Sequence, residues 1–213
     1  MANGAGGSIT AFFTIWTEPR ATIRRIVDTD PTRNVIALAA IGSAIGALSG
    51  QWSKAMNSTT GLSVLWPVWV AVIVAVEAAI GVVSLYIGAA VLRWSGSLLG
   101  GVASNIEMRA AIAWSSVPGI AAAIVLLIAV LTGVPVPQSS PGTIPHIDPA
   151  FYKVMTVEAV LGIWGFFVGL KCIGEVHRFS AWRAFVATLI PAAIAVVLIA
   201  IMLFLFGIVA GHH

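Results

Sequence analysis

Charge is what this sequence lacks most. Only 9% of its 213 residues are charged while 59% are hydrophobic, against about 25% charged in soluble domains. That scarcity excludes a water-soluble globule. With a mean hydropathy of +1.01 it equally excludes a disordered chain, which has to be polar and highly charged. Cysteine is reduced to Cys172, so neither an internal disulfide nor a cysteine zinc cage can be built. Catalytic signatures are missing too: there is no G-x-S-x-G elbow, H-E-x-x-H pair or phosphate-cradling G-x-x-x-x-G-K. The serines beside Trp114 have no histidine base on their side of the bilayer. The chain therefore reads as non-enzymatic and without a cofactor. Its net charge of +3 and pI near 9.5 do not indicate nucleic acid, because the eleven basic residues are scattered between apolar runs rather than gathered in a patch. The expected partner is the lipid bilayer.

What is present are apolar stretches long enough for a hydrocarbon core of roughly 30 Å. They fall at about 34–50, 65–92, 109–132, 151–171 and 183–210. The expectation is an all-α, polytopic protein with five transmembrane helices, comprising an N-terminal segment 1–30 and a membrane domain 31–213. The first stretch starts near Asn34 without a basic leader or a small-residue cleavage site, so it is expected to be retained. Asp30-Pro31 and Asp148-Pro149 each place a cap before a first-turn proline, Ser104 with Glu107 forms a capping box, and Ser180 can cap the last span. Arg20, Arg24, Arg25, Arg33, Arg93, Arg109, Lys171, Arg178 and Arg183 fall on one side, against Lys54 and Lys153 on the other. This bias predicts a cytoplasmic N-terminus and an external C-terminus. Phe12, Phe13, Ile15 and Trp16, followed by Arg20, Arg24 and Arg25 around Ile23, Ile26 and Val27, predict an interfacial amphipathic helix. Five prolines in the stretch from Thr132 through Pro149 predict an extended external loop.

Small residues set the expected helix packing. Gly42, Gly46 and Gly50 form two GxxxG steps, and they leave an intramolecular seam or a homo-oligomer open. Pro118 and Pro191 each free a carbonyl four residues earlier and predict kinks. Val76-Glu77-Ala78 with Gly81, Ser84 and Gly88 is echoed by Val157-Glu158-Ala159 with Gly162, Gly165 and Gly169. The offsets from glutamate are kept, which suggests a parallel repeat of two helical hairpins. A carboxylate at mid-bilayer costs on the order of 3 kcal/mol, so Glu77 and Glu158 are expected to face protein at one depth. Two readings stay open. Together with Ser84 they handle a cation or a shared proton, or each is a neutral acid that holds helices together.

Lys171, Glu175, His177 and Arg178 crowd the inner end of the fourth span and read as a solvated charge cluster or as a pH- or partner-sensitive site. His146 and Asp148 are too few for a metal site, and the metal question stays open. Trp52, Trp66, Trp94 and Trp182 fit interfacial belts, while Trp114 and Trp164 fit packing positions. His212 and His213 are given no role.

The run Arg109-Ala110-Ala111-Ile112-Ala113-Trp114-Ser115-Ser116-Val117-Pro118 resembles the Yip-domain family of Ypt/Rab-GTPase-interacting membrane proteins. So do Gly162-Ile163-Trp164 through Lys171, Glu175-Val176-His177-Arg178-Phe179-Ser180, and Arg183-Ala184. Glu18-Pro19 with Thr22-Ile23 resembles the start of bacterial members. The resemblance covers most of the chain and implies five spans, a cytosolic N-terminus and no catalysis. The long N-terminal region of the eukaryotic branch, with its Asp-Leu-Tyr-Gly-Pro type motif, has no counterpart, so Rab-type GTPase binding is not carried over. A bacterial inner-membrane scaffold is the expected role, with cation or proton transport and anionic-lipid interaction as alternatives.

Overall fold

The computed structural model describes residues 4–57, 66–134 and 148–210. Most of the proline-rich loop, His146, His212 and His213 lie outside the described residues, as do the side chains of Trp52, Lys54 and Trp66. The described residues are entirely helical in their regular structure: α1 (Gly4–Thr17), α2 (Pro19–Thr29), α3 (Val35–Asn57), α4 (Trp66–Leu98), α5 (Asn105–Ser115), α6 (Val117–Leu131), α7 (Pro149–Val176) and α8 (Ala181–Ala210). Four spans are long and apolar enough to cross a membrane: Pro67–Leu98, Asn105–Leu131, Pro149–Val176 and Ala181–Phe204. The remaining expected span falls on α3, whose apolar part, Val35–Gly50, is shorter.

The third expected span begins four residues earlier than its apolar run, because Ser104 and Glu107 form the capping box in full: the Ser104 amide donates to Glu107 Oε2 at 2.7 Å and the Glu107 amide to Ser104 Oγ at 3.2 Å. It is also interrupted at one residue, Ser116. α5 ends at Ser115 and α6 restarts with Pro118 in its first turn. Ser115 and Ser116 donate back to the carbonyls of Ile112 at 3.0 Å and Ala113 at 2.7 Å, covering acceptors at the break inside an apolar medium. α8, by contrast, runs through Pro191 without interruption. Asp148 caps α7 through the Ala150 amide at 2.7 Å. Asp30 instead holds a turn through Thr32, and α3 starts only after Asn34, whose φ of 57° is left-handed.

The N-terminal segment is two helices rather than one. Pro19 starts α2, and Thr22 Oγ1 donates to Thr14 Oγ1 at 2.8 Å across the corner. Pro19, Thr22, Ile23 and Ile26 recur at helical spacing, so α2 has one apolar face, and that face is buried. Cys172 lies beneath it, with Sγ 3.9 Å from the Pro19 carbonyl. α1, which carries no charge, lies against the spans: Phe12 packs 5.0 Å from Trp114, and Trp164 Nε1 donates to the Trp16 carbonyl at 3.2 Å. The core sits at this arginine-rich end of the bundle, around Ile15, Ile23, Met108, Ala111, Trp114, Cys172 and Val176. The far half of α8 from Ile194 to Phe204 presents exposed apolar side chains, as a lipid-facing helix does.

Candidate functional sites

Glu77 and Glu158 occupy different surroundings. Glu77 opens on a crevice of about 460 Å³ between α3, α4 and α5, lined also by Ser43, Ser84, Gly81 and Ser116. Glu158 does not line it and faces α6, with its Oε1 buried and without a hydrogen-bond partner. Glu77 lies 21 residues before the end of α4 at Leu98 and Glu158 18 before the end of α7 at Val176, a difference of three residues, which is less than one turn.

The glycines divide as well. A Cβ on Gly81 would meet Ser43 Cβ at 2.6 Å and the Ala39 carbonyl at 2.8 Å, so here α3 and α4 cross backbone to backbone. Gly42 faces Ile120, Gly165 faces Pro118 and Gly169 faces Ser115. At Gly46, Gly50, Gly88 and Gly162 a Cβ would meet nothing within 4 Å. Gly46 and Gly50 are therefore not points of close approach within this chain, although Ser49 between them is buried and donates to the Ala123 carbonyl of α6 at 3.3 Å.

The expected inner-end cluster is taken apart by the fold. Lys171 stays exposed. Glu175 turns to α2: Arg24 Nε donates to its Oε1 at 3.1 Å, Arg24 Nη2 to its carbonyl at 2.8 Å, and Arg20 Nη1 to its Oε2 at 3.3 Å. One carboxylate so fastens two arginines that lie 151 and 155 residues away in sequence. Arg178 remains exposed, in the left-handed region with φ 59°. It closes a Schellman cap, in which the Phe179 amide donates to the Gly174 carbonyl at 2.9 Å and the Arg178 amide to that of Glu175 at 3.1 Å.

His177 is not solvated at all. It is 1% exposed and lies in a slot formed by the end of α4, where the Gly101 amide donates to the Gly96 carbonyl at 2.9 Å and Gly100 takes φ 82°. A Cβ on either Gly96 or Gly101 would overlap the imidazole. The ring stacks on Phe179 at 4.9 Å and 6°, and Nδ1 accepts from the Ala103 amide at 3.4 Å. Nε2 has no well-formed partner among the described residues, with the Leu92 carbonyl nearby.

Burial holds the His177 pKa below its ordinary value of 6.5; Arg93 adds to this, while the Leu92 carbonyl and Glu107 oppose it. The folded protein thus keeps the ring neutral where the unfolded chain would accept a proton. Stability is expected to be full above about 6.5 and to fall as the pH drops through the lowered folded value. Thermal unfolding in detergent between pH 8 and pH 5 checks this. A slope that survives unchanged in His177→Gln assigns it to other groups.

Trp114, a packing residue by sequence, proves to be a three-way junction. It is fully buried, touches Phe12 of α1, and donates from Nε1 to the Arg33 carbonyl at 3.1 Å at the approach to α3. Arg109 lies 4.5 Å over the Tyr86 ring and ties α5 to α4. No group of three or more metal-ligating side chains occurs among the described residues.

A family model described as the Yip1 domain matches residues 13–203. No curated protein and no solved structure matches the chain.

Proposed function

Since the chain belongs to the Yip1 domain family, we propose that it is a non-enzymatic scaffold of the bacterial inner membrane, with five spans counting α3 and with its arginine-rich end in the cytoplasm. The observation that carries this reading is the fastening of α1 and α2 to the ends of the spans through Glu175 and the burial of Ile23 and Ile26. Polar side chains at that end are spent on fixing the elements of this chain to one another, which suits a rigid platform better than a reacting centre. Native electrophoresis of membranes gently solubilised from cells expressing the parent and Glu175→Ala tests it. A scaffold gives an assembly larger than one chain that is weakened by the substitution. A single-chain species in both rejects the reading.

A second reading, passage of a cation or proton, is favoured by one observation. The Glu77 carboxyl makes no hydrogen bond or ion pair among the described residues, and three serines share its crevice. An unpartnered carboxyl within a span is expensive unless it serves a ligand. Flux into liposomes that is lost in Glu77→Gln and kept in Glu158→Gln supports it; absence of flux in the parent rejects it.

A further inference from the structure

We propose that the cavity between α2, the end of α7 and the start of α8 is a binding site for a phosphate-bearing anion, the headgroup of an acidic phospholipid. This inference needs the spans to cross a bilayer but does not depend on the scaffold role.

The argument begins with what α2 cannot do. A basic amphipathic helix binds a membrane by sinking its apolar face among the acyl chains, yet Ile23 is 0% and Ile26 5% exposed because that face is covered by protein. Only the arginine face is left to meet lipid. That face converges with Arg178 and Ser180 on one cavity of about 860 Å³, widely open on one side, which Glu175 and Asp28 also line. Its lining carries three guanidiniums against two carboxylates, a surplus of one positive charge. The start of the 30-residue helix α8 adds roughly half a charge more. The first amide of that helix is close at hand. A Cβ placed on Gly174 would lie 3.4 Å from both the Ala181 nitrogen and Arg20 Nη2. A singly charged phosphodiester matches this surplus, and amide and guanidinium donors are what its oxygens take.

The arginines are not equivalent. Arg24 is held at 2.8 and 3.1 Å and belongs to the frame. Arg20 is held more loosely, at 3.3 Å to Glu175 and 3.4 Å to the Phe179 carbonyl, and its side chain is 44% exposed. The Arg178 side chain has no hydrogen bond or ion pair among the described residues, the Glu107 carboxylate acting on it only from a distance. These two are the arms that reach the ligand. Level argues for a lipid, since the cavity lies where one span ends at Val176 and the next begins at Ala181, with the exposed Trp182 beside it in the manner of an interfacial residue.

The test is a titration of the detergent-solubilised full chain with dioctanoyl phosphatidylglycerol, dioctanoyl phosphatidylcholine and inorganic phosphate, read as the thermal unfolding midpoint. The glycerol lipid is expected to raise the midpoint and the choline lipid not to. Arg178→Gly, which also relieves the left-handed backbone, and Arg20→Ala are each expected to weaken the effect about tenfold, the loss of one charge-assisted hydrogen bond. Arg25→Ala, outside the cavity, is expected to keep it. A response to phosphate equal to that of the lipid keeps the site but transfers it to a free anion. No response to either, or a response undiminished in Arg178→Gly and Arg20→Ala, overturns the proposal.

Discussion

Gly96→Ala is expected to destabilise the protein by about 2 kcal/mol, although the same change inside a helix ordinarily stabilises by roughly 0.5–1 kcal/mol. The reversal comes from His177, whose ring the new methyl would overlap. That ring cannot swing aside, being stacked on Phe179 and 1% exposed, so the end of α4 must move away from the end of α7. Overpacking of this kind costs about 1–3 kcal/mol. Gly101→Ala should cost more, about 3 kcal/mol. Its Cβ would meet the fixed Gly96 carbonyl at 2.9 Å in addition to the ring. Denaturant unfolding in detergent measures both. A double-mutant cycle gives the sharper result: in a His177→Ala background the cost of Gly96→Ala should largely vanish, while that of Gly101→Ala should persist in part. An unchanged cost of Gly96→Ala in that background would show that the imidazole is not the obstacle.

Trp114→Ala is expected to have the largest effect of any single substitution considered, about 3–5 kcal/mol. The side chain is wholly enclosed, so neither lipid nor water can fill the space it leaves. The Arg33 carbonyl loses its donor at the same time. Because Phe12 rests on the same ring, protease cleavage within α1 should accelerate together with the loss of stability. Trp114→Phe keeps most of the packing and lacks the indole N–H, so its cost should be near 1 kcal/mol. A cost below 1 kcal/mol for the alanine variant would remove Trp114 from the position of a junction.

The elements whose cause is local were legible in the chain. Ser104 with Glu107, and Asp148 before Pro149, state a helix start within four residues, and both caps form. The serines before Pro118 state a place where a helix can break, yet that α5 stops there while α8 passes through Pro191 unbroken was not readable from one proline in each. Hydroxyls alone do not make the difference: Thr188, placed before Pro191 as Ser115 is before Pro118, donates to the Phe185 carbonyl at 2.7 Å with α8 unbroken.

The two candidate sites were legible only as residue types. Glu77 and Ser84 share a helical stripe by spacing, and they do share a crevice. The matching stripe on α7 pointed to a partner in Glu158, which the fold turns toward α6 and not into that crevice. His177 sat in a run of charged residues and looked solvated, but the glycines that enclose it lie 76 and 81 positions earlier. Glu175 likewise finds Arg20 and Arg24 across almost the whole chain.

Composition and periodicity by themselves determined that this chain is helical, that its spans dissolve in hydrocarbon, and which face of α2 is apolar, because each of these depends on residues within a few turns of one another. They could not determine what covers an apolar face. Acyl chains and protein side chains are equally apolar surroundings, so the pattern of Ile23 and Ile26 is the same for a helix resting on lipid and for one docked on α7. Only the packed chain decided between them, by bringing Cys172, Glu175 and the α8 start under α2, and in doing so it turned the arginines toward the cavity that the headgroup titration will probe.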